Sequence, residues 1–382
     1  MAFKVRIVES IREIPREAWD ALHTDDDSPF VEWPWLEALE TAGCVVPRAG
    51  WAPRHLTFWR DGQLVAAAPA YVKGNSEGEF VYDWSWADVS HRLGVEYYPK
   101  FIVAVPFTPA NGSRLLRAPG ESLDEVAGWV ARASIEAVRG MDLSSAHINF
   151  THEPECAALE RQGFATRHGV QFHWRNEGYA TFDDFLARFQ SKRRHAIKRE
   201  RSQVERDSMR IETFTGDAIT ADLVEPMFRF YLSTVDKFFY GRRYLNRKFF
   251  ERVASEFRHR LHWVVAKDSD GTPVAGAFNA TRGGRLYGRY WGADVEKPFL
   301  HFNVCFYHSI AECIRAGWKL FEPGAGGEHK LARGFEPTIT YSSHWIADKK
   351  LDAVLRDFMQ REQVALRESV DRELAESPLR RK

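Results

Sequence analysis

The chain has 382 residues, 44% of them hydrophobic, which is enough for roughly two or three ordinary domains and too much for a disordered chain. Its 53 basic and 53 acidic side chains cancel, which excludes a basic nucleic-acid coat; an anionic partner has to meet a local patch. Four cysteines without a C-x-x-C exclude a disulfide framework and a zinc site, no metal is expected, and no run approaches the ~18 apolar residues of a membrane span, so a soluble cytoplasmic protein is expected.

Taken in order, "FKVRIVES" alternates like a strand, residues 14–22 read as a short helix, and "WPWLEALETAG" as a second helix stopped by Gly43. "RHLTFWRDGQLVAAAPAYVK" is a hairpin around Asp61-Gly62, the signal for a type I′ turn. After a variable stretch come the strand "KFIVAVPF", a helix over 123–138, the strand "SAHINF", a short helix over 155–162 and a strand "GVQFHWR".

The second half repeats this grammar. "MRIETF" is strand-like, helices are predicted over 221–235 and 246–259, and residues 261–292 supply three strands with turns at Asp270-Gly271 and Gly283-Gly284. A helix over 302–316 carries Cys305 and Cys313, expected as buried thiols. Then come the strand "KLFEPG", a glycine-rich loop, the strand "TITYSSHWI" and an amphipathic helix over 349–375 with Leu351, Leu355, Phe358, Leu366, Val370 and Leu374 on one side. Strand, two helices, three antiparallel strands, helix, strand is the element order of the GNAT acyltransferase fold. Its recurrence argues for an α/β protein of mixed sheets with two tandem GNAT-like domains, 1–176 and 177–382, and a C-terminal amphipathic helix.

Between the halves, "TFDDFLARF" opens with Thr181 and Asp184 in capping-box spacing. "SKRRHAIKRERSQVERD" follows as a basic helix over 191–207. From Arg188 to Arg201 it holds seven Lys or Arg and one acid, Glu200. With Ser191 as cap, Lys192, Arg193 and Arg194 fill the first turn, where each cation opposes the helix dipole by roughly 0.3–1 kcal/mol. An anion on this helix explains the arrangement: a tRNA backbone, a nucleotide diphosphate or a CoA diphosphate held by Arg193, Arg194 and Lys198. The plainer reading is a solvated helix paired with acids elsewhere.

The loop "EPGAGGEHKLARGF", residues 322–335, is neither a Walker loop nor a dinucleotide fingerprint: no Lys-Ser/Thr pair follows Gly324, and no third glycine stands at the required offset. The Q/R-x-x-G-x-G/A loop that cradles CoA pyrophosphate is also missing. Acyl transfer to an amine needs a proton acceptor and a positive group for the oxyanion, and Glu328 or His329 with Lys330 and Arg333 supplies both types within six residues. A charged loop tip is the plainer alternative.

The stretches "LYGRYWG", "HFNVCFYHSIAECI", "EPGAGGEHKLARGFEPTITYSSHWI", "YYPKFIVAVPFTPANGSRLL" and "FHWRNEGYATFDDFLARFQSKRRHAIKRERSQV" together resemble the bacterial FemAB-like family of peptidoglycan biosynthesis or recognition proteins. The resemblance implies tandem GNAT-like domains and aminoacyl transfer from aminoacyl-tRNA to an amine on a peptidoglycan-precursor peptide, with no CoA and no cofactor; an acyl-CoA donor and a non-catalytic precursor- or polyanion-binding role are the alternatives. The family's Phe-Lys-x-Gly-Phe motif aligns with Leu331-Ala332-Arg333-Gly334-Phe335. Gly334 and Phe335 match it, while Ala332 holds the lysine position, so Lys330 or Arg333 is expected to supply the charge from a shifted place. Tyr97, Tyr98 and Lys100 are expected at a substrate cleft. Strand alternation puts Tyr287, Arg289 and Trp291 on one face with Tyr290 on the other, making the arginine either an anchor for substrate or a paired core residue.

Overall fold

A computed structural model describes residues 3–237 and 242–380, apart from the side chain of Glu328. The chain divides into two compact units: Met1–Val170 with Ile339–Ser369, and Gln171–Thr338 with Val370–Lys382. Residues 339–369 thus join the first unit, whereas the sequence places everything after 176 in the second. The reason is long-range pairing: the last strand finds its partner nearly 200 positions earlier, as Ser343↔Ile148 and His344↔His147.

The elements up to the first crossing are β1 (Phe3–Val8), α1 (Arg16–Asp20), α2 (Trp33–Thr41), β2 (Trp51–Pro53), β3 (His55–Arg60), β4 (Gln63–Ala68), β5 (Ala70–Lys73), α3 (Trp84–Arg92), β6 (Lys100–Val103), β7 (Leu116–Arg117), α4 (Leu123–Gly140), β8 (Ser145–Thr151), α5 (Glu153–Glu160) and β9 (Ala165–Arg175). There follow α6 (Phe182–Ala187), α7 (Ser191–Arg201), α8 (Gln203–Arg206), β10 (Arg210–Thr215), α9 (Ala221–Val235), α10 (Arg247–Glu256), β11 (Leu261–Lys267), β12 (Pro273–Arg282), β13 (Arg285–Ala293), α11 (Leu300–Phe302), α12 (His308–Arg315), β14 (Leu320–Glu322), α13 (Glu328–Leu331), β15 (Glu336–Ile346) and α14 (Lys349–Ala375).

In the first unit β1-β3-β4-β7 form one antiparallel sheet, and β15, β8, β6, β5 and β2 are neighbours in another, where β6 and β8 run parallel. Asp61 and Gly62 have φ of 49° and 86°, the two positive values that a type I′ turn requires. α4 buries Val126, Val130, Ala131 and Val138 against Phe101, Val103 and Ile148, and each of the valines contributes about 1.5–3 kcal/mol on burial. α14 seals the unit with Leu351, Leu355 and Met359 against Trp86, Tyr97 and Ile346.

In the second unit the order is β10-β11-β12-β13-β14-β9, antiparallel except for the β13–β14 pair. α9 lies so close to β13 that a Cβ on Gly292 would stand 1.7 Å from the Phe230 carbonyl oxygen. Val304 packs with Val264, Ala266 and Ala277. The helix predicted over 302–316 is not uniform: a π-helical segment, Asn303–Tyr307, joins α11 to α12. Such segments are rare and appear often at functional sites.

Candidate active site

β13 and β14 pair only from Arg285↔Leu320 to Tyr287↔Glu322. Beyond that point Pro323 crowds Gly288, where a Cβ would meet its backbone at 3.2 Å, and the chain turns away into the glycine loop while β13 continues. Where the two parallel strands part, a cavity of about 280 Å³ opens. Asn279, Arg289, Trp291, His301 and Lys330 line it together with residues 324–327. It lies beyond the carboxyl end of β14, where open α/β sheets usually bind ligands.

A β-bulge shapes one wall. Phe278 pairs with Tyr290, but its neighbour Asn279 pairs with Gly288, so Arg289 is the extra residue. The bulge corrects the expected alternation. Leu286 packs with Phe306 and Ile310, and Trp291 with Val304 and Leu300, so these two share the face toward the π-segment although five positions separate them. Tyr287, next to Leu286, therefore faces the other way from Trp291 and is 1% exposed in the interior. His301 lies over Trp291 with ring centroids 4.4 Å apart, and burial lowers its pKa to about 4, so the ring is neutral at pH 7.

The glycine loop has positive φ at Gly324 (88°) and Gly326 (82°), a conformation that side chains rarely adopt. These turns bring three successive carbonyls onto the Lys330 ammonium, which donates to Gly324 at 2.5 Å, Ala325 at 3.2 Å and Gly326 at 2.6 Å. All three ammonium protons are used, so Lys330 stands here as the clasp of the loop and not as an open oxyanion donor. Burial lowers its pKa to about 8.

Arg333 and Arg193 are also committed. Arg333 donates to the His329 carbonyl at 2.8 Å and to Glu200 at 3.0 Å, with its guanidinium over the Phe302 ring. Arg193 donates to the Ala332 carbonyl at 2.5 Å and reaches Glu200 at 3.4 Å. Glu200 further accepts from the Tyr307 hydroxyl, and its own carbonyl accepts from the Asn303 side chain at 2.8 Å. The single acid of the basic helix is thus its buried anchor. Arg193, expected to hold phosphate, here ties the helix to the loop through Nε and to Glu200 through Nη1, while its Nη2 is buried without a hydrogen-bond partner among the described residues.

The other expected residues fall in three groups. His329 lines the cavity and is exposed, whereas the side chain of Glu328 lies outside the described residues. Lys192 and Lys198 on α7 are exposed and Arg194 is half-buried; Lys198 lies 3.6 Å from Asp183. Arg201 folds over the Phe182 ring, and Gln190, not Ser191, caps the helix without a side-chain bond. Gly334, with φ of 83°, abuts Phe185 and Phe189, and Phe335 is fully buried, so both pack the interior. In the first unit Lys100 is fully buried and donates to Glu79 at 3.0 Å, to Asp83 and to Ser76, whose hydroxyl meets that of Tyr98 at 2.6 Å. Lys100, expected at a substrate cleft, here belongs to an internal ion cluster. Cys313 is buried as expected, while Cys305 is half-buried at the cavity wall.

Asn279, His301 and Glu200 were missed. Only Glu200 carried a signal in the sequence, as the lone acid among seven cations. Among the described residues no three His, Cys, Asp or Glu side chains are grouped to hold a metal ion, and no helix is long and apolar enough to cross a membrane.

A family model described as peptidoglycan biosynthesis/recognition, FemAB-like, matches residues 10–381. The chain belongs to the FemAB-like family. Compared by sequence with curated proteins, it finds no match. Among solved structures it is similar to FemX, at 10% identity over 93% of this chain and 100% of that one, with a TM-score of 0.54. It is also similar to the C-terminal domain of a putative lysylphosphatidylglycerol synthetase from Agrobacterium fabrum, at 12% identity over 91% and 97% with a TM-score of 0.53. L-PGS from Bacillus licheniformis matches at 10% over 85% and 94% with a TM-score of 0.50. At these identities the likeness establishes the fold alone, and this FemAB-like chain has the α/β architecture of mixed sheets expected from its element order.

Proposed function

We propose that this FemAB-like protein is an acyltransferase that moves an aminoacyl group from aminoacyl-tRNA to a primary amine, with a peptidoglycan-precursor peptide in the cytoplasm as the leading acceptor. The observation that carries the reading is the cavity at the parting of β13 and β14, in a chain that the family model matches over 10–381. The missing pyrophosphate loop favours an RNA-borne donor over acyl-CoA.

In this reading the amine nitrogen attacks the donor's ester carbonyl, the oxyanion forms and collapses, and the ribose hydroxyl leaves. His329, exposed at the cavity, accepts the proton that the amine loses and passes it to the departing ribose oxygen. Lys330 holds the loop from behind and places a positive charge near the oxyanion without donating to it directly. Lys192, Arg194 and Lys198 on the open face of α7 meet the phosphates of the donor.

The test offers the purified protein labelled aminoacyl-tRNA or labelled acetyl-CoA, each with a precursor stem peptide, and follows label into the peptide. Label passing from the tRNA alone is the expected result. Transfer from acetyl-CoA alone would replace the donor. Tight precursor binding with no transfer from either donor would replace catalysis by recognition.

A further inference from the structure

The cavity contains a polar group that the protein itself does not use. Asn279 is 2% exposed and lines the cavity, and its side-chain Nδ2 has no hydrogen-bond partner among the described residues. Buried side-chain amides are almost always paired, because an unmade bond forfeits the hydration lost on burial. The local geometry explains why this one is open. At the bulge its neighbour on β13 is Gly288, which has no side chain to cover it. On the other side the paired residue is His262 of β11, whose Nε2 is likewise buried without a partner. Ala277, two residues earlier on the same face, also lines the cavity, which fixes the direction in which β12 presents Asn279.

The company of this amide defines the chemistry it suits. Trp291, Phe306 and Phe321 give the cavity an apolar body. A small apolar pocket with one hydrogen-bonding amide and flanking positive charge suits a short acyl group whose carbonyl oxygen takes the N–H. A plain hydrocarbon would leave the amide unpaired.

We infer that Asn279 is a substrate-positioning residue whose side-chain N–H hydrogen-bonds the carbonyl oxygen of a small acyl group seated between β13 and β14. The inference rests on the acyl-transfer reading and adds to it the residue that holds the donor's carbonyl.

The test uses the full chain with glycinamide, L-alaninamide and acetamide as carbonyl-bearing probes and ethylamine as the probe without a carbonyl. Binding is followed by ligand-observed NMR and stability by thermal unfolding. The expected result is that at least one amide probe binds and ethylamine does not, and that Asn279→Leu weakens the amide about tenfold or more with no fall in Tm. Asn279→Asp, which keeps the shape and replaces the donor with a carboxylate, should lose the probe too, so the inference stays testable should the leucine variant not fold. Unchanged affinity in either folded variant would overturn it, as would equal binding of ethylamine or no binding of any amide. The two readings fail separately. Amide binding through Asn279 without transfer from any donor removes the proposed function alone, and full transfer by Asn279→Leu removes this inference alone.

Discussion

Arg333 and Glu200 form a buried ion pair, with 3.0 Å between the guanidinium and the carboxylate and each side chain 6% exposed. The pair joins the glycine loop to a helix that otherwise reads as all surface. Glu200 takes up bonds from Arg333, Arg193 and Tyr307 together, so the basic helix is held by its one acid as well as by the buried Ile197. The cations that seemed free to meet a substrate are, in part, the counter-ions of that carboxylate.

Removing Glu200 therefore leaves Arg333 buried and unpaired. Glu200→Ala is expected to cost about 3–5 kcal/mol of stability, the usual cost of breaking a buried pair from one side. Adding Arg333→Met to it should recover part of the loss, since the stranded charge goes with it. Urea unfolding of the two variants beside the parent measures both. A single variant as stable as the parent would show that the carboxylate anchors nothing.

Two glycines of β13 separate packing from site geometry. A methyl at Gly292 would stand 1.7 Å from the Phe230 carbonyl, against a helix that cannot yield so far, whereas at Gly288 it would meet the Pro323 backbone at 3.2 Å. Gly292→Ala is expected to give little folded protein. Gly288→Ala should fold with a loss of about 1–3 kcal/mol and push the loop at Pro323 outward, lowering transfer more than stability. Soluble yield, thermal unfolding and transfer rate together tell the two apart.

Local signals were legible in the sequence and long-range ones were not. Asp61-Gly62 marked its hairpin because a type I′ turn makes its demand on two adjacent residues. The helix over 349–375 declared itself through repeating leucines and was found at those bounds. The bulge at Arg289 depends on the register of β12 against β13, which a single strand's alternation does not contain. The clasp at Lys330 escaped notice because its partners are backbone carbonyls, which look the same at every position in a sequence. α3 (Trp84–Arg92) lay in a stretch without clear periodicity, and only Trp86 and Ser90 of its nine residues are buried.

Acid should act on the first unit through two histidines. His147 and His344 face each other with 2.7 Å between their Nδ1 atoms; burial lowers the pKa of His147 to about 3 and that of His344 well below its usual value. Around the pair, Ser145 and Ser342 hold the outer ring nitrogens, Trp86 covers the rings, and the charges of Lys100, Arg167 and Asp83 act on it. Both imidazoles are neutral in the folded chain, whereas the unfolded chain binds protons there below about pH 6.5. Stability is therefore fully present above that pH and falls as pH drops toward 3, by up to about 1.4 kcal/mol per pH unit for each group. His344→Gln should flatten the profile between pH 6.5 and 4 in urea titrations. An unchanged slope would assign the acid response to other groups.

The open face of α7 decides whether the donor is a polyanion. Arg193 turns inward and Arg201 covers Phe182, while Lys192, Lys198 and Arg199 are exposed and Arg194 is half-buried; in the proposed reading these are the cations that meet phosphates. Each phosphate neutralised releases counterions, so binding of RNA should weaken with salt by a slope of about 0.7–0.9 per contact. Lys192→Ser and Arg194→Ser together are expected to weaken tRNA binding and reduce that slope by about 1.4–1.8, with little change in Tm because Lys192 is exposed and Arg194 only half-buried. Binding of a neutral amide probe in the cavity should not change, since the two residues do not line it. Measuring tRNA affinity between 50 and 200 mM salt for parent and variant tests the helix directly, using roughly the range over which such contacts are lost. A variant with the parent's slope would move the polyanion off this helix, and a parent with no salt dependence would remove the RNA-borne donor.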